Sequence, residues 1–197
     1  MISIKDAALI VVDVQNDFCP GGRLAVPQGD LVVSKVNAYI EIFVQQDRPV
    51  IASRDWHPPR SSHFKPYGGD WPVHCVNATP GAAFHADLRL PGHTMIFSKG
   101  IRGDQDGYSA FEAENDQGQD LKNVLKEENI DQVFVCGLAT DYCVKATVLD
   151  ALKNQFKVFV LEDAIKGVNI HPDDSQAALE EMVDAGALKV QIDQWKG

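Results

Sequence analysis

Five short, nearly continuous apolar runs punctuate the chain, at 7–14, 49–53, 94–98, 132–136 and 157–161. They are rich in β-branched residues and do not alternate with polar ones, which suits central strands covered on both faces. Apolar residues recur at helical spacing over 31–45, 119–128, 142–154 and 175–185, and 188–192 reads as a last, weak strand. This strand-helix alternation predicts an α/β fold, three-layer α/β/α with a mostly parallel central sheet, Rossmann-like in outline and joined by right-handed crossovers. No internal repeat, low-complexity tract or linker divides the 197 residues, so a single domain over 1–197 is expected. Only 55–91 departs from the pattern, being long, rich in Pro, Gly, His and Trp, and without periodicity. A loop of that length in a compact domain is usually functional.

Charge narrows the range of partners. A formal net charge of -10, with no cluster of Lys or Arg, repels phosphate backbones and anionic lipid, so neither nucleic acid nor membrane is expected as a partner. The first residues run into an apolar strand without a basic leader, and no apolar stretch approaches membrane-spanning length, so the expectation is a cytoplasmic protein. Cys19, Cys75, Cys136 and Cys143 are too few and too unevenly spaced for a disulfide scaffold, and are read as free thiols.

In sheets of this kind ligands bind beyond the carboxyl ends of the strands. Four groups fall there: Asp13 and Asp17 after the first strand, Asp55-Trp56-His57 after the second, Lys99 after the third, and Gly137 to Cys143 after the fourth. Cys143 lies at a strand-to-helix junction, where helix N–H groups and the helix dipole favour a thiolate and can hold an oxyanion. An arbitrary cysteine is more often a small core residue, but the junction shifts the balance towards a nucleophile. Asp13 interrupts an apolar strand, where an unpaired carboxylate is strongly disfavoured. A cation such as Lys99 would stabilise it, and the pair could then move a proton at sulfur and at a departing amine. Asp17 fits a simpler role, accepting hydrogen bonds from loop amides.

Asp55 and His57, two residues apart in an extended segment, point to the same side. With His74 they form a possible set of metal ligands, and His63 is a fourth ligand or a supporting group. Cys75 adjoins His74 and is expected to point away; His85, His93 and His171 are read as structural or solvated.

Together, Asp13-Val14-Gln15-Asn16-Asp17-Phe18, Asp55-Trp56-His57-Pro58, Trp71-Pro72-Val73-His74-Cys75, Ser98-Lys99-Gly100 and Gly137-Leu138-Ala139-Thr140-Asp141-Tyr142-Cys143-Val144 resemble the signature series of the nicotinamidases, members of the isochorismatase-like cysteine hydrolases. The later Glu162-Asp163-Ala164 also resembles the family pattern, so the likeness runs along nearly the whole chain. It implies an isochorismatase-like fold and hydrolysis of nicotinamide, or of pyrazinamide-like amides, to the acid and ammonia through a cysteine thioester, a step of NAD salvage. Cys143 would be the nucleophile, Asp13 the general acid-base, and Lys99 the group that holds Asp13. Asp55, His57 and His74 would bind one divalent metal ion that positions the substrate, zinc ahead of iron or manganese because imidazole suits it. Some members carry a further ligand at the place of His63, others at that of Ser61. The family's Leu138–Ala139 peptide is typically cis, with the Ala139 and Cys143 N–H groups facing the oxyanion. Phe18, Leu24, Trp71 and Tyr108 match the positions that enclose the pyridine ring. Two alternatives stand beside this reading: another cysteine amidase of the superfamily acting on an N-carbamoyl or ureido substrate, and a non-catalytic binding domain. A homo-oligomer is compatible with all three.

Overall fold

The computed structural model describes residues 3–195; the expected domain of 1–197 extends to Met1, Ile2, Lys196 and Gly197, which lie outside the described residues. The apolar runs form six strands: β1 Ala7–Val12, β2 Val50–Asp55, β3 Met95–Lys99, β4 Gln132–Leu138, β5 Lys157–Lys166 and β6 Leu188–Val190. They pair in parallel throughout, in the order β3-β2-β1-β4-β5-β6. The helices are α1 Val32–Gln45, α2 Leu121–Glu127, α3 Lys145–Lys153 and α4 Asp174–Asp184.

Strand β1 shows why the apolar runs lack alternation. Leu9 and Val11 face a core shared with Val36, Tyr39, Ile40 and Phe43 of α1, while Ala8, Ile10 and Val12 face a core shared with Leu121, Val124 and Leu125 of α2, Val148 and Ala151 of α3, and Leu179 and Met182 of α4. With both faces buried, each position must be apolar. The result is the expected three layers, with α1 on one side of the sheet and α2, α3 and α4 on the other.

The differences from expectation lie at element ends. Strand β1 stops at Val12 because Asp13 turns the chain with φ 49, in the left-handed region that non-glycine residues adopt at a cost. Strand β5 continues to Lys166, beyond the expected 161, re-pairing with β4 after a register shift between Val135 and Gly137. Glu162 and Asp163 interrupt its apolar pattern and hide the extension. A single wide π turn, Thr140–Val144, leads into α3. The aperiodic 55–91 region contains short 3-10 turns at Lys65–Tyr67 and Pro80–Ala82, with isolated bridges pairing His57 with Val76 and Phe64 with Trp71. Among the described residues no helix is long and apolar enough to cross a membrane, and all four cysteines are free.

The α1 layer closes on an aromatic cluster. Phe134 of β4 stacks on Phe159 with ring centroids 4.3 Å apart, and meets Phe43 at 5.4 Å and Trp195 at 5.1 Å. Phe134→Ala should therefore cost about 3–5 kcal/mol, through lost burial and the cavity left behind. Phe134→Leu should cost clearly less. Urea unfolding checks this, and an unchanged midpoint for the alanine variant would show that the cluster does not secure the layer.

Candidate active site

The carboxyl ends of β1, β2, β3 and β4 meet around one buried ammonium. Lys99, the last residue of β3, is paired in register with Asp55, the last residue of β2, and its side chain is fully buried. Its Nζ lies 2.8 Å from Asp13 Oδ2 and in direct contact with Asp55 Oδ1, donates to the Gly107 carbonyl at 2.9 Å, and reaches Cys143 Sγ at 3.5 Å. Asp13 Oδ1 accepts the Ser53 hydroxyl at 2.7 Å. The sequence-expected trio of Asp13, Lys99 and Cys143 is thus assembled from three strand ends.

Burial and charge set the protonation states. Burial penalises the Lys99 ammonium, but Asp13 and Asp55 more than offset this and hold its pKa well above the ordinary lysine value. Burial likewise opposes the Asp55 carboxylate, yet Lys99 and the imidazoles of His57 and His74 bring its carboxyl well below the usual range. Burial pushes the Asp13 carboxyl up, with Lys99 opposing, so Asp13 is the member of the pair better suited to carry a proton.

The thiol stands in a different balance. Burial pushes the Cys143 thiol well above its ordinary value, and the Asp13 and Asp55 carboxylates add to the shift while Lys99 alone opposes it. The direction is opposite to the thiolate that the helix dipole favours. Desolvation and two neighbouring carboxylates oppose the end of one helix.

His57, His63 and His74 are all buried, and one ring nitrogen from each falls within a 4.8 Å cluster of the kind that could hold a metal ion. His63 Nδ1 is 2.8 Å from Asp106 Oδ1, and His74 Nδ1 is 2.8 Å from the Pro72 carbonyl, leaving Nε2 of each available. Both ring nitrogens of His57 are buried without a hydrogen-bond partner. Unpaired buried nitrogen is costly, and a cation would satisfy it. The ring packs on Gly100, whose φ is +64 and where an added Cβ would lie 2.3 Å from His57 Cε1, so the residue after Lys99 must be glycine for His57 to fit. Asp55 is divided between the two groups: one oxygen contacts Lys99, and the other lies 3.6 Å from Nε2 of both His57 and His74. The histidine cluster and the trio of Asp13, Lys99 and Cys143, expected to be built separately, share this carboxylate.

Beside both lies a cavity with about 420 Å³ of free space including its open mouth, lined by Phe18, Leu24, Trp71 and Tyr108 as expected, and also by Val26, Leu138, Ala139, Tyr142, Cys143 and Val168. Trp71 Nε1 donates to the Tyr108 hydroxyl at 2.8 Å, and Tyr142 meets Trp71 edge-on at 5.0 Å. The Leu138–Ala139 peptide is cis. The lining is mostly apolar and aromatic, with Asp55, His63, His74 and Cys143 as its polar or reactive members, a composition suited to a small planar ring carrying a polar group.

Some contributors went unmarked in the sequence reading. Gln15 donates to the Asp55 and Ala82 carbonyls and accepts the Asp55 N–H, each at 2.8 Å, clamping the main chain of Asp55. Asp141 accepts the Val168 and Asn169 N–H groups at 2.9 and 2.8 Å, holding Val168 against the cavity. Both stand inside the motifs quoted, but nothing local distinguishes them. Asp17 accepts the Arg23 and Cys75 N–H groups, as its simpler reading expected, and Cys75 lies outside the histidine cluster.

Comparison with known proteins agrees with this geometry. The chain is 42% identical over 205 residues to the nicotinamidase of Escherichia coli K12, spanning 96% of each chain, and 41% identical to the nicotinamidase/pyrazinamidase of Mycobacterium tuberculosis H37Rv, over 89% of this chain and 93% of that one. Its fold matches the crystal structure of Pyrococcus horikoshii pyrazinamidase in complex with zinc, with a TM-score of 0.89 and 47% identity over 95% of this chain and 100% of the other. The Isochorismatase domain model matches residues 7–194, and with relatives of this identity along nearly its full length the chain belongs to the isochorismatase family.

Proposed function

We propose that this protein is a nicotinamidase, an amidohydrolase converting nicotinamide to nicotinic acid and ammonia, built as one isochorismatase-like domain. The observation that carries the reading is the convergence of Asp13, Lys99 and Cys143 with the three-histidine cluster on one ring-sized cavity. An N-carbamoyl or ureido amidase needs the triad alone, and a silent binding domain needs neither.

The pyridine ring lies between Phe18, Leu24, Trp71 and Tyr108, with the carboxamide carbon against Cys143 Sγ. Asp13 takes the thiol proton as sulfur attacks, and the tetrahedral oxyanion is held by the Ala139 and Cys143 N–H groups. Lys99 keeps its charge throughout and fixes Asp13 beside the sulfur. Protonated Asp13 then gives its proton to the amide nitrogen, the C–N bond breaks, ammonia leaves and a thioester remains on Cys143. Water attacks the thioester, losing a proton to Asp13, and the released sulfur recovers that proton. His57, His63 and His74, with Asp55, fit a divalent ion, with zinc the best match to three imidazoles. Such an ion supplies a fixed positive charge and open coordination positions beside the cavity.

Cys143→Ala should lower ammonia release from nicotinamide by at least about a thousandfold while leaving the unfolding transition in place. A folded variant with appreciable turnover would remove Cys143 from the mechanism. The purified protein should carry close to one divalent ion per chain, measured by elemental analysis, and a chelator should suppress turnover. His57→Ala should lose both metal and activity, yet Cys143 should keep its rate with iodoacetamide, because Lys99 retains Asp13 and Asp55. Asp55→Asn should disturb metal content and thiol reactivity together. Full nicotinamide turnover by the metal-free protein would sink the metal assignment.

A further inference from the structure

The loop after β3 carries a carboxylate that no motif of the sequence marks. Asp106 lies 2.8 Å from His63 Nδ1 across 43 positions of chain, and its side chain is 63% exposed while the His63 imidazole is buried. The two partnered imidazoles of the cluster differ in how they are held. His74 Nδ1 uses the carbonyl of Pro72, within its own segment, whereas His63 depends on a side chain from another loop. The next two residues fix where Asp106 stands. The Gly107 carbonyl accepts the Lys99 ammonium at 2.9 Å, and the Tyr108 hydroxyl accepts the Trp71 indole N–H at 2.8 Å. Gly107 has φ +72, and a Cβ there would lie 2.4 Å from the Gly100 nitrogen, so the loop passes too close to β3 for any other residue. Asp106 is thus held over the histidine cluster by anchors on the lysine and on the cavity wall.

We propose that Asp106 is a positioning residue for the histidine cluster. Accepting the Nδ1–H bond holds His63 in the Nδ1–H tautomer, aims the free Nε2 lone pair at the site shared with His57 and His74, and strengthens it as a ligand. As an exposed ion pair the contact would be worth little. Its effect comes instead from fixing the tautomer and orientation of a buried ring. This inference rests on the reading that the three histidines hold a divalent ion.

Two measurements on full-length Asp106→Ala and Asp106→Asn test it. Competition with a chelating dye should show zinc affinity weakened about 10- to 100-fold in Asp106→Ala. Asp106→Asn, whose amide oxygen can accept the same bond, should lose clearly less. Nitrogen NMR of the metal-free proteins should show His63 as the Nδ1–H tautomer in the parent and shifted to the Nε2–H tautomer in Asp106→Ala, with the unfolding transition unchanged. Equal zinc affinity in parent and Asp106→Ala, or the same His63 tautomer in both, would overturn the proposal. A parent protein that binds no zinc would overturn the metal reading instead, and the NMR comparison would still decide whether Asp106 orients His63.

Discussion

One buried ammonium organises this molecule's chemistry. An isolated charge in such an interior carries a large desolvation penalty, and Lys99 is tolerated only because Asp13 and Asp55 flank it and the Gly107 carbonyl takes a further hydrogen bond. That requirement binds three strand ends and a loop to one point. It also divides the labour of the two carboxylates. Asp55, turned to Lys99 and to two imidazoles, is held ionised, while Asp13, buried more at its own expense, is the one poised to carry a proton.

The same arrangement acts on the Cys143 thiol. Cys143 sits beside one cation and two carboxylates in a desolvated pocket, and the balance keeps the thiol protonated. Asp55 touches both Lys99 and the histidine cluster, so a single carboxylate is common to the two groups.

The loops supply what the strands cannot. Strand ends place Asp13, Asp55 and Lys99, but the three imidazoles, Trp71, Tyr108 and Asp106 come from 55–91 and 100–108, tied together by His63 with Asp106 and by Trp71 with Tyr108. These two ties join the histidine cluster to the cavity wall.

Much of this was legible in the chain. The strands and helices follow from apolar periodicity, because a doubly covered sheet demands apolar residues at every strand position, and the carboxyl-edge rule then brings Asp13, Asp55, Lys99 and Cys143 to one side. The motif series singled out Asp13, Lys99, Cys143 and the histidines, which the fold brings close together. Only the folded structure decided that His63 joins His57 and His74, that Asp55 serves Lys99 as well as the imidazoles, that the Cys143 thiol is raised rather than lowered, and that Gln15, Asp106 and Asp141 hold the site together. The physical reason is common to all of these. Periodicity reports burial along a local segment, whereas protonation and hydrogen-bond partners depend on which groups, tens of residues apart, are brought within a few ångströms of one another and away from water.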